Sequence, residues 1–81
     1  MSNKKNAAEE IESLGTTIYE REIRHLVEPD ETGKFVVIDV YSGDYEIDER
    51  DGTATGHLLK RRPGAVTWAV RVGSPAAYRW T

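Results

Sequence analysis

The chain contains no cysteine, so neither disulfides nor thiolate-bound metals can hold it together. It also lacks a long apolar run. The longest, Phe35 to Ile38, is four residues, against the roughly 20 that a bilayer-spanning helix needs. Residues 1–14 carry Lys4 and Lys5 but no apolar stretch of a secretory signal, and a cytoplasmic protein is the expectation. Excess positive charge is missing too. The net charge is −3, whereas a generic polyphosphate binder is usually basic. Proline occurs only at positions 29, 63 and 75, so each one punctuates rather than interrupts a periodic segment. Eighty-one residues make one domain that buries roughly 60% of its unfolded surface. An internal catalytic cavity does not fit so thin a core; a surface site or partner interface does.

What is present centres on residues 34–48. Phe35-Val36-Val37-Ile38-Asp39-Val40-Tyr41 is dense in β-branched and aromatic residues and leads through Ser42-Gly43-Asp44 into Tyr45-Glu46-Ile47-Asp48. Such side chains suit a pleated surface, and the small polar triplet suits a hairpin loop. Both faces of the first arm are largely apolar, so it is expected to be central and covered on both sides. The second arm sets Tyr45 and Ile47 against Asp44, Glu46 and Asp48, the pattern of an edge strand.

Before the hairpin, Asn6-Ala7-Ala8-Glu9 and Thr17-Ile18-Tyr19-Glu20 each have the form of a capping box. They predict a short helix stopped by Gly15 and a second helix with Tyr19, Ile23, Leu26 and Val27 on one stripe. Pro29 predicts an end near Val27. After the hairpin, Ala54, Leu58 and Leu59 mark a helix closed by Pro63-Gly64, with Asp48 or Asp51 as its cap. Ala65–Val72 alternates as a third strand, and Tyr78 and Trp80 of the tail are expected to fold back. The fold class is therefore α+β, in the order α-α-β-β-α-β. The three-stranded sheet has strand order 2-1-3, with the helices on one face. Residues 1–16 read as a flexible or helical N-terminal arm and 17–81 as the domain. One sheet face would then be poorly covered, leaving Phe35, Val37 and Tyr41, or else the opposite set, as an apolar patch for a partner.

No catalytic constellation emerges. His25 and His57 stand apart from any metal-ligand spacing, and residues 52–56, Gly-Thr-Ala-Thr-Gly, lack the Lys-Ser/Thr of a phosphate-binding loop. The acidic cluster Asp44, Glu46, Asp48, Glu49 and Asp51 misses the calcium-loop pattern and reads as a solvated edge. Asp39 interrupts an apolar face, either at a solvated strand end or paired with Arg71. No enzyme and no cofactor or metal is expected. The expected protein interface is Phe35, Val37, Asp39, Tyr41, Trp68, Tyr78 and Trp80, in a homodimer or with another protein. The alternative is a nucleic-acid-binding or autoregulatory surface of Lys60, Arg61, Arg62, Arg71 and Arg79.

Gly33-Lys34-Phe35-Val36-Val37-Ile38-Asp39, Ser42-Gly43-Asp44-Tyr45-Glu46-Ile47-Asp48, the Ala54/Leu58 helix, Arg62-Pro63, and Trp68 through Gly73 together carry a resemblance. Over about residues 18–79 the chain resembles a family of small bacterial, mostly cyanobacterial, antitoxin-like proteins. The resemblance implies one member of a two-gene pair, with a toxin-like or retropepsin-like protein as partner. It implies no catalytic residues. Gly52 and Gly56 depart from the helix formers expected between the second and third strands.

Overall fold

The structure, a computed structural model, describes residues 7–73. Its first element is one unbroken helical rod: α1 (Ala7–Ile18), a π-helical segment (Tyr19–Ile23) and α2 (Arg24–Glu31). Strands β1 (Phe35–Asp39) and β2 (Tyr45–Asp48), helix α3 (Asp51–Arg61) and strand β3 (Thr67–Arg71) follow. The sheet order is β2-β1-β3, with β1 antiparallel to both neighbours. The α+β class and strand order match the sequence reading.

The predicted break between two N-terminal helices does not exist. Gly15 is buried in mid-helix against the ring of Trp68, and a Cβ built there would lie 2.4 Å from Trp68 Cδ2. This glycine serves close approach of helix and sheet, not termination. Thr17 is consequently interior to α1 and caps nothing. The same helix continues past residues 16 and 17, and from residues 7–16 Gly15 is buried against the sheet at Trp68.

The π segment has a cause in the spacing of the inward residues. Gly15, Tyr19, Ile23 and Val27 are buried at intervals of four, and an α-helix would rotate each by ~40° from the last. A π turn takes up the extra residue, seen in the Arg24 N–H donating to the Tyr19 carbonyl, and returns Ile23 to the core. Leu26, expected on the stripe, is left 59% exposed. Pro29 sits inside α2, which ends only at Glu31. It is exposed and near the last turn, where the carbonyls it frees reach water, and Thr32 Oγ1 donates to the Glu28 carbonyl at 3.1 Å.

The helices lie on opposite sheet faces, which corrects the one-face arrangement. Tyr19, Ile23 and Val27 pack with Val36, Ile38, Val70 and Val72, and with half-buried Tyr45, Ile47 and Trp68. Alternation sends Val37 to the other side, where it packs with Ala54 and Leu58 of α3 and with Ala65. The doubly apolar β1 is thus covered on both faces, as its pattern implied. On the other side α3 packs over β1 and β2, leaving that face of β3 with exposed Ala69 and Arg71.

Candidate functional site

The two outer strands of this sheet end their hydrogen bonding differently. At β2, Asp39 N–H donates to the Asp44 carbonyl at 2.8 Å. Antiparallel alternation therefore turns the backbone groups of Tyr45 and Ile47 outward. Those of Tyr45 are both taken: its N–H donates to Asp44 Oδ1 at 2.9 Å, and its carbonyl accepts Arg61 Nη2 at 3.1 Å. Arg61 Nε also donates to Glu46 Oε2 at 2.8 Å and Nη1 to Asp44 Oδ2 at 2.6 Å, while Arg62 Nε donates to the same Asp44 oxygen at 2.8 Å. The end of α3 is clamped to β2, and an arginine occupies the strand's edge. Hydrogen bonds from Arg61 and then Arg62 hold the Asp44 carboxyl well below the ordinary range.

Among the described residues, β3 has no such guard. Val40 N–H donates to the Val66 carbonyl at 3.0 Å and Val72 N–H to the Lys34 carbonyl at 2.8 Å. The same alternation turns the N–H and C=O of Thr67, Ala69 and Arg71 outward. Among the described residues none bonds them. On the α3-side face of this edge, Arg71 Cζ stands 5.8 Å from the centroid of the Phe35 ring, its neighbour on β1. Arg24, Lys34, Arg61 and Arg62 all meet carboxylates. Arg71, like Arg21, Arg50 and Lys60, meets none among the described residues.

The expected interface residues do not form one surface. Phe35 is half-buried beside Arg71, and Tyr41 is 64% exposed at the hairpin turn. Val37 is buried beneath α3, and Trp68 lies on the opposite face against Gly15. Asp39 is buried and faces Thr67, not Arg71. Its carboxylate accepts Ser42 Oγ at 2.7 Å and the N–H groups of Tyr41 and Val66 at 3.2 Å each. Burial would raise this carboxyl, but those hydrogen bonds and the Arg62 charge outweigh it and hold it below its usual value. Asp39 is thus a structural tie between the hairpin turn and the start of β3. Tyr78, Trp80 and Arg79 lie outside the described residues.

Of the basic set, Lys60 is exposed, whereas Arg61 and Arg62 are given to β2. Sequence reasoning missed Thr67 and Ala69 as edge residues, although the 2-1-3 order already implied that the third strand has a free side. Among the described residues there is no cluster of metal-ligating side chains, and no helix is long and apolar enough to cross a membrane. No family model, curated protein or solved structure matches the chain.

Proposed function

We propose that the protein is a small non-catalytic protein-interaction module, an antitoxin-like or accessory subunit of a two-gene pair, that receives its partner at the β3 edge. The observation that carries this reading is the contrast between the two outer strands. Arg61 blocks β2, while β3 presents three residues whose outward backbone is unbonded among the described residues, beside a face that α3 leaves open. An unprotected edge is a template for another strand. The wide uncovered sheet face expected from the sequence does not support the reading, because both faces carry a helix. Nucleic-acid binding draws less support, since Arg61 and Arg62 spend their charge within the chain.

The test is a nuclease-treated capture of tagged protein from its native host, comparing the wild type with Ala69→Pro. Proline there removes only an N–H that points away from β1, which an edge strand tolerates. A stoichiometric protein partner, such as a toxin-like or retropepsin-like one, should accompany the wild type and be lost from the variant. Equal capture by the variant, or recovery of nucleic acid alone before nuclease treatment, would sink the proposal.

A further inference from the structure

The edge itself carries information about what it receives. Resting on the reading just given, we infer that β3 takes an extended, acidic segment of a partner protein. In that segment an Asp or Glu stands opposite Arg71 and a bulky apolar residue stands two positions later, opposite Ala69. Three observations converge on this occupant. The outward N–H and C=O groups of Thr67, Ala69 and Arg71 match an added antiparallel strand, whose directly opposed residues exchange both hydrogen bonds. The side chains of these same residues point to the face that α3 leaves uncovered, so the added strand's side chains would lie there too. Finally, Arg71 is the cation of that face without a carboxylate among the described residues, resting only on Phe35.

Charge complementarity fixes the first position. Opposite charges directly across two strands attract and like charges repel, so a segment with lysine there is disfavoured. Size fixes the second. Ala69 is exposed and small, leaving room beside half-buried Phe35 for a large apolar side chain. Running antiparallel to β3, the added strand meets Arg71 before Ala69, so its sequence reads acid, any residue, bulky apolar. The alternation leaves the intervening residue on the face covered by the long helix. Strand pairing supplies affinity through the backbone, and the two side-chain positions supply selectivity.

A phage-displayed random octapeptide library, panned on the full chain, tests this. Wild type should enrich peptides with Asp or Glu two residues before a bulky apolar residue. Arg71→Glu should instead enrich Lys or Arg at that position. A peptide recovered on wild type should bind the charge-reversed variant at least about threefold more weakly. Ala69→Pro should retain none of these peptides; if it fails to fold, Arg71→Glu still carries the test, because it alters no backbone bond. Enrichment without an acid at a fixed position, retention of the same peptides by Arg71→Glu, or no enrichment at all would overturn the inference. A concentration-dependent dimer in sedimentation that Ala69→Pro abolishes would assign the edge to a second copy, and would overturn it as well. If host capture depends on Ala69 while the library shows no acidic choice, this inference fails alone. Capture that survives Ala69→Pro removes the reading beneath it.

Discussion

Two glycines in this chain occupy opposite situations at the residue scale, and the difference predicts opposite signs of substitution. At Gly15 an added Cβ would stand within 2.6 Å of three Trp68 ring atoms, so either the ring or the helix must shift. Gly15→Ala should destabilise by about 1–3 kcal/mol, the range for overpacking a fitted contact. Urea denaturation reads this, and Gly15→Ala should cost less when made in a Trp68→Val background than in the wild type. No change in midpoint would mean that the helix–sheet contact is looser than the geometry shows. Gly56 lies inside α3 with nothing within 4 Å of where its Cβ would be, and its φ is not positive. Gly56→Ala should therefore stabilise by about 0.5–1 kcal/mol through helix propensity alone. A lowered melting temperature would contradict it. Asp39 is a third case. Replacing it with alanine removes the acceptor of the Tyr41 and Val66 N–H groups at a part-buried site, at a cost of about 1 kcal/mol, measured by urea denaturation.

At the element scale the strands were legible and the long helix was not. Alternation over Val66, Trp68, Val70 and Val72, and the two apolar faces of β1, depend only on local pattern and central burial. The helix instead contains Gly15 and Pro29, both ordinary stop signals, and a stripe whose period exceeds 3.6. Tertiary contact with Trp68 overrides the first signal, and solvent at the final turn tolerates the second. The open edge at β3 followed from strand order. The guarding of β2 did not, since it needs Arg61 and Asp44, 17 residues apart, to meet. The π segment supports a deletion experiment. Removing exposed Glu22 leaves Gly15, Tyr19 and the residues now numbered 23 and 27 at offsets of 4, 3 and 4, the spacing of an ordinary α-helical stripe. The shortened protein should remain folded, within about 1 kcal/mol of the parent, because a π-bulge is an inserted residue that an α-helix can lose. Unfolding on this deletion would show that the wider turn is itself required.

Across the whole molecule, three layers are joined by few polar ties, and the one between α3 and the sheet is ionic. Asp44 binds Arg61 and Arg62, and Glu46 binds Arg61, all at partly exposed positions. The folded carboxyl of Asp44, like that of Asp39, titrates below its ordinary value. Both therefore contribute stability that is fully present above the unfolded pKa, near 3.9, and is lost as pH falls through the folded value. The urea midpoint should be flat from neutrality down to about pH 5 and fall below about pH 4. Asp44→Asn should lower the midpoint at pH 7, and the gap to wild type should begin to narrow at pH 3, where Asp44 of the unfolded chain takes up a proton that the folded carboxylate does not yet accept. Molar salt at pH 7 should narrow it as well, since exposed ion pairs are screened. A gap unchanged by both acid and salt would show that the ion pairs of Asp44 with Arg61 and Arg62 do not hold α3 to the sheet. A gap that closes in acid would instead make α3 the layer most readily released, and with it the Arg61 guard on β2. Among the described residues, β2 would then join β3 as a free edge at low pH.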